Sequence, residues 1–272
     1  MTATKKKTTA LKAKGKQELA PDDLFSTMLS DAGKGIENAD KDSFAVPFII
    51  CLQGLSPQLE TVEGARPGLF INSVTNELFK TVNVIPVYFE RQFLRWVDRA
   101  AGGGFKGSYS PLEVEEMLAD GEAERSPDGL DIRASEIESL KDTRQHYVLM
   151  QDAIGGWTPA VLACGSTQIK KSKNWITQIN NFKIEHGDQV ITPPSWARAY
   201  TVSSQKESNN KGEWHGIAIR PNEELNTNPG GVINADVYML GKKFYEQIVA
   251  GKVRVQHEDL DPAAADDDGE AF

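Results

Sequence analysis

The chain has 272 residues, 39% hydrophobic and 25% charged, with a formal net charge of −9. That length allows one or two domains with a sizeable core, and the composition is that of a globular protein. No apolar run is long enough to cross a membrane, the lysine-rich start lacks the apolar run of a secretory signal, and two distant cysteines, Cys51 and Cys164, exclude a disulfide scaffold.

Residues 1–20 read as a flexible basic arm, with six lysines and no acid in 1–16. Pro21 opens a short helix over 21–32, with Phe25, Met28 and Leu29 on one face and Gly33 and Gly35 ending it. Residues 44–55, FAVPFIICLQGL, are almost continuously apolar and must be buried, although Pro47 argues against a central strand there. A strand over 68–75 turns at Asn76-Glu77 into a long strand over 78–95, interrupted near Pro86. The glycines at 102–104 start a loop. Ser110-Pro111-Leu112-Glu113 has the pattern of a capping box with proline at the first helical position, so a helix runs to Asp120. A second short helix is predicted over 135–141. Together they make an acidic helical insertion, about 110–142, in which residues 113–142 carry eleven acids against three bases.

Residues 144–152 and 157–164 form a hairpin across Ala153 to Gly156. Ser166 caps a helix over 167–182 whose buried stripe is Ile169, Ile176, Ile179 and Phe182. Residues 195–205 and 213–220 form another hairpin, and 234–250 a last helix with Val237, Leu240, Phe244 and Ile248 on one face. From 256 onward the chain is an acidic tail, with seven acids and no base over 258–272. One domain, 21–255, thus lies between a basic arm and an acidic tail. A helix between the third and fourth of five strands is the order of the OB-fold, which binds oligonucleotides across one face and its adjoining loops. The expected fold is mainly β with α additions: an OB-fold-like Greek-key barrel with a helix between strands 3 and 4, a helical insertion and a C-terminal helix. A β-sandwich with helical insertions is the rival.

Three groups of residues carry chemistry suited to single strands. In Trp196-Ala197-Arg198-Ala199-Tyr200, strand alternation puts Trp196, Arg198 and Tyr200 on one face, and the paired strand presents Trp214 and Arg220 together. Rings stack on bases, at about 1–3 kcal/mol each, while arginine meets phosphate. The same residues suit a barrel core, and both readings stand. The second group is Arg91, Arg95, Arg99 and Lys106, with Trp96, Phe105 and Tyr109 around the three glycines. The third is Lys170, Lys171 and Lys173 beside Trp175, for which an ordinary solvated helix face is the plainer reading. Enzyme signatures are poor: there is no P-loop, no GxSxG and no HExxH, and Pro127-Asp128 stands too close to Asp131-Ile132-Arg133 for a nuclease motif. The four histidines and two cysteines show no metal-ligand spacing. The chain is read as no enzyme, with no cofactor and no metal.

The tail ends Asp266-Asp267-Asp268-Gly269-Glu270-Ala271-Phe272. It resembles the tails of bacterial and tailed-phage single-stranded DNA-binding proteins, which are acidic and end in Phe; here Gly-Glu-Ala stands where the bacterial tail has Ile-Pro. The stretch from Val46 to Pro57, followed by Gly64 to Gly68, also looks like phage replication-region proteins. The resemblance implies a protein of the host-cell cytoplasm that coats single-stranded DNA without sequence preference in replication, recombination or repair. Asp266, Asp267, Asp268, Glu270 and Phe272 would then dock a polymerase, helicase or exonuclease. No membrane partner is expected, and a homodimer is compatible with this reading. The alternative is an acidic interaction protein, a DNA mimic or virion component, that does not bind single strands; an enzyme of nucleic-acid metabolism would need an acidic metal cluster.

Overall fold

The computed structural model describes residues 21–32, 34, 35, 37, 45–127, 131–210, 212–253, 255, 257 and 260. The basic arm and the tail residues Asp266, Asp267, Asp268, Glu270 and Phe272 lie outside the described residues. The chain divides into two units, residues 1–43 and 44–272. The first contains α1 (Pro21–Ser30), at the place its proline and apolar spacing predict.

The second unit is mainly β. In chain order it holds β1 (Ile49–Cys51), α2 (Gln58–Thr61), β2 (Phe70–Asn72), β3 (Leu78–Phe79), β4 (Thr81–Val97), β5 (Phe105–Tyr109), α3 (Pro111–Asp120), β6 (Glu124–Arg125), β7 (Ile132–Ser135) and β8 (Glu138–Gln151). These are followed by β9 (Trp157–Gly165), α4 (Ile169–Asn181), β10 (Ile184–His186), β11 (Gln189–Ile191), β12 (Tyr200–Ser208), β13 (Glu213–Pro221) and α5 (Ala235–Val249). No helix among the described residues is long and apolar enough to cross a membrane.

Two long strands organise the fold. At one end β4 and β8 belong to a curled antiparallel sheet with the order β9-β8-β4-β12-β13, and α4 connects β9 to β12. Counted along the chain, these five strands run 3-2-1-4-5 with a helix between the third and fourth, the connectivity expected from the sequence. The register shifts between Pro86 and Tyr88, where proline cannot donate to the ladder. The gap between β9 and β13 is bridged by β1. Phe48 forms a parallel bridge with Val161, and Gln53 then supplies its side chain in place of a strand: Gln53 Nε2 donates to His215 O at 2.9 Å, and His215 N donates to Gln53 Oε1 at 2.8 Å.

Both faces of this sheet are buried, and the apolar segment expected to be buried contributes to each, Ile49 to one and Phe48, Ile50 and Leu52 to the other, although Gly54 and Leu55 at its end are exposed. Val82, Val84, Val148, Met150, Leu162, Tyr200 and Val202 pack on one side with Trp175 of α4. Ile85, Val87, Tyr147, Leu149 and Val161 pack on the other with Phe48, Ile50 and Phe244 of α5. In α4 the expected stripe of Ile169, Ile176, Ile179 and Phe182 is half-buried, and the most buried side chains, Ser172 and Trp175, lie on the same face between them. Ser166 does not cap it; a 3-10 turn at Ser166–Gln168 leads in instead.

At the other end β4 and β8 run on as a ribbon flanked by β5 on one side and by β7 and β6 on the other. Here the prediction over 135–141 is corrected. That segment is not a helix but the β7–β8 turn and the start of β8, because Leu140 packs with Phe93 of β4, Ile132 of β7 and Val114 of α3 in a satellite core. The helix at 111–120 stands as expected, with the Ser110 side chain accepting from Glu113 N and the Glu113 side chain accepting from Ser110 N.

Candidate nucleic-acid interface

The aromatic and basic residues around 196–220 do not share a face. The strand expected from 195 begins only at Tyr200, because Ser195–Ala197 is a 3-10 turn. The β12–β13 register, from Tyr200 opposite Pro221 to Ser208 opposite Glu213, puts Tyr200 and Val202 on the face of Ile217 and Ile219. Trp214 and Arg220 point to the opposite face, alongside Glu207. Tyr200 is 1% exposed and meets Trp175 edge-on at 5.5 Å, so it belongs to the core. Burial holds its hydroxyl above the usual pKa, with Arg198 pulling the other way. Trp196 packs on α5, with ring centroids 4.9 Å from Tyr245 and 6.3 Å from Tyr238. Gly241 of α5 makes this approach possible, since a Cβ there would lie 2.8 Å from Trp196 Cβ.

The basic residues of the ribbon are held by the acids of the insertion. Arg91 forms a forked pair with Asp142, with Nη2 at 2.7 Å from Oδ2, and Arg144 shares the same carboxylate at 3.1 Å. Arg95 pairs with Glu138, and Arg133 with Asp98 at 2.7 Å. Hydrogen bonds to these carboxylates raise the pKa of Arg91, Arg95 and Arg133. Phe105 is stacked on His257 at 5.2 Å and tilted against Trp96 at 5.3 Å, while Tyr109 packs against the α3 cluster. Arg99, in the 3-10 turn at Arg99–Ala101, and Lys106, in β5, are exposed. On α4, Lys171 reaches Glu207 at 2.6 Å; burial alone would push Glu207 up, but bonds from Lys171 and Gln205 hold it below the usual carboxylate range. Lys170 and Lys173 are exposed.

One cleft does gather the right chemistry. It is an open pocket of about 400 Å³ lined by Thr177, Gln178, Asn181, Phe182, Lys183, Arg198, Tyr200 and Pro221. The end of α4 supplies Phe182, which closes the helix with extended backbone (φ −70°, ψ 125°). The Arg198 guanidinium lies over the Phe182 ring, 4.5 Å from its centroid. Its Nε is buried without a partner, and its one hydrogen bond among the described residues runs from Nη2 to Glu223 Oε1 at 3.1 Å. A guanidinium has five N–H donors, so most of its capacity is unused. Lys183 donates from Nζ to Asn180 O at 3.2 Å and to the Thr192 hydroxyl, both neutral acceptors. The cleft therefore offers an aromatic face, two cations and several amide and hydroxyl groups. Of the residues singled out in the sequence, only Arg198 and Tyr200 line it. Phe182 was assigned to a buried stripe, and Lys183 and Glu223 carried no pattern; the one available signal was the aromatic-basic pair directly after a helix.

The outer face of strands 2 and 3 is where OB-folds offer oligonucleotides a surface. Here the corresponding face of β8 and β9 is filled by Phe48 and by Phe244 of α5, with Val253, Val255 and Leu260 packed on the same cluster.

Comparison with curated proteins and with solved structures finds no match. The profile of one family, described as Pam3 phage gp34-like protein, matches residues 13–254, which takes in all of the sheet, the insertion and α5. The chain belongs to the Pam3 phage gp34-like protein family.

Proposed function

We propose that this phage-family protein binds single-stranded DNA without sequence preference, in replication or recombination. The observation that supports this most is the Arg198 cleft. An aromatic ring, a largely unpartnered guanidinium and a lysine meet there at the end of a sheet with OB connectivity. The tail ending in Phe272 would recruit a polymerase, helicase or exonuclease, and its acids would compete with DNA for the cations. The test is a gel shift with oligo-thymidylate in rising salt. Binding should weaken with a slope of log K against log salt of about −0.7 per phosphate neutralised. No shifted band even at low salt would overturn the proposal.

A second reading has an observation in its favour. The usual OB ligand face is covered, and Arg91, Arg95 and Lys171 are already matched by Asp142, Glu138 and Glu207. An acidic interaction protein would show both features. It predicts no binding of the oligonucleotide at any salt.

A further inference from the structure

We infer that the Arg198 cleft is an anion subsite for a phosphate group, and that Glu223 is its internal placeholder, occupying the guanidinium until the phosphate displaces it.

The pair is asymmetric. Arg198 has a side chain only 19% exposed, whereas that of Glu223 is 73% exposed. The arginine is fixed and the carboxylate is on the rim. Stacking on Phe182 holds the guanidinium plane, and Glu223 engages one nitrogen through one oxygen, not the forked geometry that Arg91 reaches with Asp142. A forked contact is what arginine makes with phosphate, and it is the stronger arrangement. Lys183 adds a second charge in the same cleft with neutral oxygens as its acceptors.

The loop that carries Glu223 is pinned on both sides. Asn222 Nδ2 donates to Asn83 Oδ1 at 3.0 Å and to Thr201 Oγ1 at 2.9 Å. Asn226 brackets the backbone next to Arg198, accepting from Ala199 N at 2.8 Å and donating to Ala199 O at 2.9 Å. The backbone is thereby anchored while the Glu223 carboxylate extends into solvent. Expelling it needs only side-chain rotation, and the loop remains in place. An exposed ion pair of this kind is weak enough for a phosphate to replace.

This deepens the single-strand reading and rests on it for the source of the phosphate, though not for the anion chemistry. The probes are inorganic phosphate and oligo-thymidylate, with the Arg198 Nε–H resonance and gel shift as readouts on the full chain. Phosphate should move that resonance saturably. Glu223→Gln should bind phosphate about two- to five-fold more tightly, the range expected when an exposed ion pair is removed. Arg198→Met removes that resonance, so it is read by gel shift, where it should weaken oligo-thymidylate binding at least about ten-fold, as the loss of a hydrogen bond to a charged group implies. Should Arg198→Met unfold the cleft, Glu223→Gln, on the exposed rim, still decides the question. If phosphate leaves the resonance unmoved, or Glu223→Gln binds no more tightly than the parent, the inference is overturned. If oligo-thymidylate binds but neither substitution alters it, the single-strand reading survives and this cleft is not its phosphate site. If phosphate binds with these responses and oligo-thymidylate does not, the subsite stands and the single-strand reading falls.

Discussion

His146 should make this protein acid-sensitive. It lies in β8, 1% exposed, with its ring 5.1 Å from Phe89 and 4.6 Å from Trp175, and its Nε2 shares a hydrogen bond of 2.8 Å with Ser172 Oγ. Burial, and after it the charge of Arg144, lowers its pKa from 6.5 to about 3. The folded state therefore holds it neutral where the unfolded chain takes a proton. Above pH 6.5 both states are neutral and the residue contributes nothing. As pH falls from 6.5 toward 3, the unfolded chain binds more protons and stability is lost. A shift of this size corresponds to about 5 kcal/mol in full, of which about 2 kcal/mol is lost by pH 5. The assay is urea unfolding at pH 7.5 and pH 5.0. Other groups also respond to acid, so the comparison is with His146→Leu combined with Ser172→Ala, which removes both partners and leaves no orphaned hydroxyl. The parent should lose about 2 kcal/mol more than the variant between the two pH values. Equal losses would refute the assignment of a neutral buried imidazole.

Three further outcomes are expected. Gly241→Ala should lower the thermal midpoint: a Cβ would meet Trp196 atoms at 2.8 to 3.2 Å, and an overpacking cost of about 1–3 kcal/mol exceeds the roughly 1 kcal/mol that alanine adds to a helix; a raised midpoint would contradict the tight α5 contact. Gln53→Ala should cost about 1–3 kcal/mol in chemical denaturation and speed hydrogen exchange at the His215 amide, since it leaves that N–H unpartnered and the carbonyl with only the weak Cys51 Sγ donor at 3.7 Å; unchanged exchange would mean β1 does not bridge the sheet through this side chain. Deleting 258–272 should raise affinity for oligo-thymidylate, most at low salt where the Debye length is about 30 Å, and a fall in affinity would show that the tail does not compete for the cations.

The sequence by itself determined what depends on local chemistry. The helix at 111–120 was legible because Ser110, Pro111 and Glu113 fix its start through bonds within four residues. Asn76, at φ 57°, makes the turn its residue type suggests. The expected interruption near Pro86 is only a register shift within the continuous β4, in keeping with its missing N–H, and the strand and helix order that gives the OB connectivity followed from periodicity. Only the tertiary structure decided the rest. Residues 135–141 contain no helix breaker, yet β4 offers a ladder and Phe93 a core contact that local preference cannot foresee. Whether Tyr200 and Trp214 share a face depends on cross-strand register and on where the strand starts after the 3-10 turn, two facts not encoded in alternation. The charge blocks were plain in the sequence, but that Asp142 and Glu138 neutralise Arg91 and Arg95 depends on partners about fifty residues apart meeting across one ladder. The Arg198 cleft joins the end of α4, the turn into β12 and the end of β13, so no single window of sequence contains it. Local rules specify elements, whereas a site built from three of them exists only once packing has set their distances.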